Sequence, residues 1–339
     1  MAQYLERTAV GKPRDLQKVF DLADQKQTPY LSRAKKGSTV INMLQEWPVD
    51  NYPAVSVAGV VSGVDATSDD FQNMHSGEAI LQCYGQIRER YPSVDRLSAL
   101  LPSAGAGARQ KMAQAIAKGL VMLKRDIEAV CCGDNDCQLG NGSVPYLTRG
   151  QFKWLQNGAQ DVLPVAAAYR TPTAQIISDA IDTIDDQTVY NAMKALYDQT
   201  GNQNIMLSFY LQSGLKAQLS ELLYSVTTTE TVVRRFNQNG ADRKVTQAID
   251  IIDNDFGKAA LILDSFINLS GDPTTAASKR CGFMIPQDKA EISFLENVQE
   301  KPMAPRTGGE SSQVWATFVN KNLNPLAGIA FTPAAASTV

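Results

Sequence analysis

Five cysteines and one histidine are the residues of this 339-residue chain best suited to chemistry. Cys131, Cys132 and Cys137 together with His75 offer three sulfurs and an imidazole, a donor set that tetrahedral Zn²⁺ accepts. The spacing argues against it. Adjacent cysteines at a helix end do not match the separation of two to four residues usual between paired zinc cysteines. With His75 as the only histidine, two-histidine metal sites and relays of two imidazoles are impossible. An odd number of cysteines in a chain long enough to build its own core reads as reduced thiols, and His75, in a polar stretch, is expected at the surface.

Ser213-Gly214-Leu215-Lys216 matches S-x-x-K, which sets a serine and a lysine one helical turn apart, as in serine acyl-transfer enzymes. The companion S-D-N and K-T-G elements are missing, and Ser213 reads better as a helix N-cap. Asp69-Asp70 and Asp185-Asp186 are the acid pairs available for general acid and base work. The first lies in a polar loop and the second at a helix start, where carboxylates favour the dipole. No phosphate-binding loop, dinucleotide glycine fingerprint, zinc-protease helix or nucleophile elbow is present. The residues therefore point to no catalytic, cofactor or metal site, with a serine acyl hydrolase using Ser213 and Lys216 as the enzyme alternative.

Any site would have to be positioned by elements of an ordered fold, and the composition supplies one. With 44% hydrophobic and 20% charged residues and a net charge of -3, it is that of a chain with two domains or one elaborated fold. Apolar runs such as Ala259 to Leu263 are far too short to cross a bilayer. Met1 to Arg14 holds Glu6, Arg7, Lys12 and Arg14 and no apolar core, so a secretory signal is not expected and a cytosolic setting is. Residues 1–40 are basic and 126–200 acidic, which reads as solvated surface; nothing attracts nucleic acid specifically.

Residues 1–36 read as an arm. A β-rich run, Thr39 to Trp47, stops at Pro48, and Ala79 to Tyr84 is its partner, so 37–90 forms a long hairpin. Ala108, Met112, Ala115, Ile116, Leu120, Leu123, Ile127 and Val130 follow helical spacing and predict one helix over Gly105 to Cys131. Asp185 caps a helix that ends at Gly201, Asn204 to Leu211 is a buried strand, and Ser213 caps a helix over Leu215 to Tyr224. One hairpin is expected to turn at Asn239-Gly240, between Val232–Gln238 and Val245–Ile252, and a second at Asp255 to Lys258. Strands are expected near Gly282 to Ile285, Ala290 to Val298 and Val314 to Phe318, with Pro302 and Pro305 as interruptions.

Thr28-Pro29-Tyr30-Leu31-Ser32, Lys36-Gly37, Glu46-Trp47 and Asp50, followed by Gln86-Ile87 and Leu123-Lys124-Arg125-Asp126-Ile127-Glu128, resemble in order a pattern of the SU10-type major capsid proteins of tailed phages. The matches span about residues 28 to 130; the later region fits by architecture. The resemblance implies an α+β, Hong Kong 97-like capsid fold. Its parts would be an N-terminal arm (1–36), an extended loop (37–90), a peripheral domain with spine helix 105–131 (91–164), an axial domain (165–270) and a return to the peripheral domain (271–339). It implies a structural protein forming hexamers and pentamers of an icosahedral shell around double-stranded DNA, held non-specifically, with an encapsulin-like compartment as the alternative shell. The expected localisation is the virion capsid, assembled in the host cytoplasm. The short stretch before Thr28 leads us to expect a separate scaffolding protein, beside a portal and a cement protein. Inter-subunit contacts are expected from Val40, Met43, Leu44 and Trp47 on one limb of the loop, Ile80 and Leu81 on the other, and the charged Glu46 and Asp50.

Overall fold

The computed structural model describes residues 27–39, 41–63, 65, 67, 73–97, 108–201, 205–221, 236–237, 244–245, 250–304 and 309–335. The chain divides into two compact units. The larger takes in residues 28–88, 124–297 and 316–339, the smaller 1–27, 89–123 and 298–315. The divisions expected from sequence at 36/37, 164/165 and 270/271 all fall inside the larger unit.

The larger unit is organised by β7 (Ile205–Leu211), whose Leu207, Ser208, Phe209, Tyr210 and Leu211 are all buried, as a central strand requires. It pairs in parallel with β11 (Gly257–Leu263) and antiparallel with β12 (Gly282–Pro286). The six-stranded order is β10-β11-β7-β12-β15-β6, where β10 is Ile251–Asn254, β15 Ile329–Phe331 and β6 Ile176–Ile177. The sheet thus gathers strands from both sides of the 270/271 division. Leu207, Phe209 and Leu211 of β7 point into a core completed by Val189, Ala192 and Met193 of the helix Asp186–Thr200.

That helix starts and stops as its sequence dictates. Asp185 Oδ1 accepts a 2.7 Å bond from the Thr188 amide, Thr188 Oγ1 accepts one from the Asp185 amide, and Gly201 closes the end at φ +65°, where a side chain would be strained. The helix after β7 spans Ser213–Glu221. Its cap differs from the one expected. The Lys216 amide bonds the Gln212 carbonyl at 3.0 Å, so Gln212 holds the N-cap position and Ser213 is the first residue inside.

A second sheet has the order β1-β13-β14-β4, with β5 also on β14; these are Lys35–Lys36, Ala290–Met303, Glu310–Asn322, Gln86–Arg90 and Ser93–Val94. Both β13 and β14 run longer than their apolar cores predict, and Pro302 lies within β13 instead of ending it. In the smaller unit Val94 pairs with Glu310, and Pro92 and Val314 lie against Gly119 of the long helix. That helix is continuous over Ala108–Cys131, about 36 Å at 1.5 Å per residue, with 105–107 outside the described residues.

The ribbon pairs β2 (Leu44–Val49) with β3 (Ala79–Tyr84). Its first limb begins five residues later than expected and continues through Pro48, which sits opposite Ile80. A two-stranded ribbon leaves each strand an open edge, where a residue without an N–H is tolerated. The turn at Asp255-Phe256 joins β10 to β11 as expected. The other hairpin, β8 (Phe236–Asn237) with β9 (Lys244–Val245), pairs Phe236 with Val245 and Asn237 with Lys244, a register centred on 240–241, one residue beyond the Asn-Gly centre. Ile251 and Ile252 belong to the next hairpin instead.

Asp185→Ala removes the capping box and is expected to cost about 1 kcal/mol. Urea unfolding of the variant against the parent protein checks this, with an unchanged midpoint as the contrary result.

Candidate functional site: the arm clasp and the hairpin base

Thr28-Pro29-Tyr30-Leu31-Ser32 opens a one-turn helix, Pro29–Arg33, with proline where a helix start tolerates it. Thr28 makes no side-chain cap. The exposed N–H groups of that turn are taken instead by Glu128 of the long helix. Its Oε1 accepts from the Tyr30 amide at 2.6 Å and its Oε2 from the Leu31 amide at 2.7 Å. Beyond the turn, Lys35 and Lys36 pair in parallel with Glu291 and Ile292, and the Gly37 amide bonds the Ile292 carbonyl at 2.9 Å. A Cβ at Gly37 would run into the Ser293 and Glu291 side chains of β13, which would have to shift to admit a larger residue.

Glu128 is buried beside Asp264. Burial first, and then the Asp264 charge, raise its carboxyl to about 9, against the pull of the two backbone donors. Asp264 is raised as well, chiefly by burial, while the Phe266 amide at 2.9 Å bonds its Oδ1. Two buried carboxyls this close share one proton at neutral pH. Cys132 Sγ lies 3.5 Å from Asp264, and the three groups are close enough in space to form a ligand set. Both Glu128 oxygens, however, already accept backbone bonds, so the cluster is a hydrogen-bonded clasp on the arm.

Tyr30 fills the space behind the clasp. Its hydroxyl donates to Asn320 Oδ1 at 2.9 Å and accepts from Gln151 Nε2 at 2.6 Å, and its ring meets Tyr210 edge-on at 5.4 Å. The sequence carried Tyr30 and Glu128 only as parts of a pattern. Glu128 had a signal of its own: it stands beside Ile127 on the buried stripe of the helix, where a carboxylate needs a partner.

The hairpin base packs within its own subunit. Leu81, 1% exposed, and Cys83 point inward onto Cys137, Trp154, Val165 and Val319, while Trp47 lies 5.6 Å from the Trp154 ring. Arg149, fully buried, stacks at 4.5 Å on Trp154, and its Nε donates to Asp136 at 2.8 Å. Trp47 and Leu81, expected to meet a neighbouring subunit, are thus engaged internally. Met43 and Leu44 are half-buried, Glu46 takes a hydrogen bond from Gln82, and Ile80 faces out. Asp50 lies 3.3 Å from His75 Nδ1, which places that histidine in an exposed pair; Val40 lies outside the described residues. Cys131, Cys132 and Cys137 are all buried, away from the exposed His75. Ser213 is exposed at its helix start, and Lys216 is lowered first by burial, opposed by Asp250. Among the described residues no helix is long and apolar enough to cross a membrane.

The SU10 major capsid protein family model matches residues 3–333, and the chain belongs to that family. It is a structural major capsid protein of tailed phages and not an enzyme; the serine hydrolase and encapsulin-like alternatives are not favoured. No curated protein matches the sequence. Among solved structures, a chain from Gordonia phage Cozz is similar at 13% identity and TM-score 0.58, covering 98% of this chain and 99% of that one. The capsid of a native GTA particle is similar at 9% identity and TM-score 0.59, covering 97% of each chain. The mature capsid of bacteriophage PhiM1 gives 9% identity and TM-score 0.58, covering 95% and 92%. These likenesses define the fold as Hong Kong 97-like.

Two outcomes are expected. Trp47→Ala should lower subunit stability by about 2 kcal/mol in urea unfolding, since it strips Trp154 of a neighbour. The clasp makes stability depend on pH. A carboxyl raised in the folded state stabilises fully below its unfolded value near 4.5 and loses that contribution as pH rises toward about 9. Unfolding free energy should therefore fall between pH 5 and 9 with a slope approaching ~1.4 kcal/mol per pH unit, and Glu128→Gln should flatten it.

Proposed function

We propose that this subunit assembles as hexamers and pentamers of an icosahedral shell around double-stranded DNA, with the tip of its hairpin as the inter-subunit clasp. The observation that carries the tip assignment is the stretch between the two limbs. Tyr52, Val55, Val57 and Val60 are each at least 90% exposed in a segment without regular structure. Large apolar side chains gathered in one exposed segment mark an interaction surface. Ile80 and Ile41, also exposed, extend it along the limbs, and Glu46 and Asp50 supply charge at its rim. Leu81 and Trp47 serve the same function from inside, by fixing the root from which the tip projects.

A separate scaffolding protein, a portal, a cement protein and assembly in the host cytoplasm belong to this reading on the strength of family membership alone. The net charge of -3 suits a container whose DNA is screened by counterions and held without sequence preference.

Replacing residues 52–62 by a Gly-Ser linker is expected to leave the subunit folded, with unchanged circular dichroism and melting, and to abolish closed particles in the electron microscope. Full-sized shells from the shortened protein would reject the clasp.

A further inference from the structure

Two cysteines at the hairpin root have surroundings unlike those of the other three. Cys83 lies on β3, and Cys137 lies in the loop beyond the long helix. Both are buried in one cluster with Trp154 and Val319, where the same Arg149 reaches both sulfurs. Donors converge on them. The Arg149 amide reaches Cys83 Sγ at 3.4 Å, Thr148 Oγ1 lies 3.5 Å from the same sulfur, and Arg149 Nη2 donates to Cys137 Sγ at 3.3 Å. The guanidinium is fully buried, carries one carboxylate partner at Nε, and its Nη1 has no hydrogen-bond partner. A buried cation with a spare donor favours a negative charge beside it, and the sulfurs are the groups able to supply one.

We propose that Cys83 and Cys137 are a modification site, closed by a peroxide into a disulfide that ties the hairpin to the body of its own subunit. Burial raises Cys83, but bonds from Cys137, Thr148 and the Arg149 amide outweigh it and bring that thiol down to about 7; Cys137 is raised, first by the same bond to Cys83 and then by burial. Cys131, Cys132 and Cys281 are all raised, with burial the leading cause, and stay protonated. Reaction therefore starts at Cys83. Its thiolate attacks one oxygen of hydrogen peroxide, the O–O bond breaks, and the departing hydroxide takes up a proton as water, leaving a sulfenic acid. The Cys137 sulfur then attacks the sulfenic sulfur, the S–S bond forms, the S–O bond breaks, and the leaving hydroxide carries off the Cys137 proton as a second water. Two thiols are oxidised and one peroxide is reduced. A peroxide is small enough to enter a root with both sulfurs buried, on local opening that would not admit a bulky disulfide reagent.

The test uses the full-length protein, treated natively with hydrogen peroxide, quenched with catalase, then denatured in an alkylating agent and mapped by mass spectrometry. Free thiols should fall from five to three, with one cross-linked peptide joining Cys83 to Cys137. Cys131→Ser should keep that cross-link, and Cys137→Ser should lose it. Because Cys137→Ser replaces a buried residue, the wild-type peptide map decides alone if that variant does not fold. A cross-link between any other pair, over-oxidation of Cys83 without a cross-link, or five free thiols after treatment would each overturn the assignment.

Discussion

Asn320 is the residue on which the larger unit depends. Its Oδ1 accepts from the Tyr30 hydroxyl, its Nδ2 donates to the carbonyls of Arg149 at 2.9 Å and Cys131 at 3.4 Å, and its amide donates to Thr148 Oγ1 at 3.0 Å. Its carbonyl accepts from Trp154 Nε1 at 3.4 Å. One buried side chain of β14 and its peptide group therefore join the arm, the end of the long helix, the loop after it and the short helix Gln151–Trp154. An amide enclosed in protein has no water to fall back on, and each missing partner would cost about 1–3 kcal/mol. The elements that meet there are thus fixed in direction as well as in proximity.

Two buried charge systems flank that amide. Glu128 with Asp264 holds the arm, and Arg149 with Asp136 holds the loop beneath the hairpin. Neither arrangement is an economical source of stability, because desolvating an ion costs several kcal/mol before any pairing is counted. Their effect is on specificity. A carboxyl that accepts two adjacent backbone N–H groups permits one seating of the Thr28–Arg33 turn, and a guanidinium spread over Asp136, the Val162 and Leu163 carbonyls and Trp154 permits one path for the loop. The slip of a residue in either would leave a buried polar group, the Glu128 carboxyl or the Arg149 guanidinium, without its partners.

Local periodicity and capping chemistry made several elements legible in the sequence. The long helix shows a stripe through Met112, Leu123, Ile127 and Val130, and the helix after Asp185 shows its capping box and its terminal glycine. What depends on pairing partners was less legible. β13 and β14 extend each other past their apolar cores into polar residues such as Gln299 and Ser311, where ladder bonds, not burial, maintain the strand. Ser213 looked like a cap because serine often is one, but Gln212 supplies the carbonyl for the first helical bond and also bonds Ser265 and Ile267 through its side-chain amide. Asp264 and Arg149 carry no periodic signal, and only the fold brings them to their partners.

The ribbon shows most clearly what composition alone leaves open, namely which residues of a limb face the body of their own chain. Along β3 the residues alternate, so Ile80 and Leu81, neighbours of equal hydrophobicity, face opposite ways. Which of the two faces the body is set by register with β2, where Trp47 sits opposite Leu81 and Pro48 opposite Ile80. A shift by one residue would exchange the two faces, turning Leu81 and Cys83 outward and breaking the packing on Trp154. The root packs on the body of its own chain, while the segment through Tyr52 and Val60 has no strand register and leaves its apolar side chains exposed.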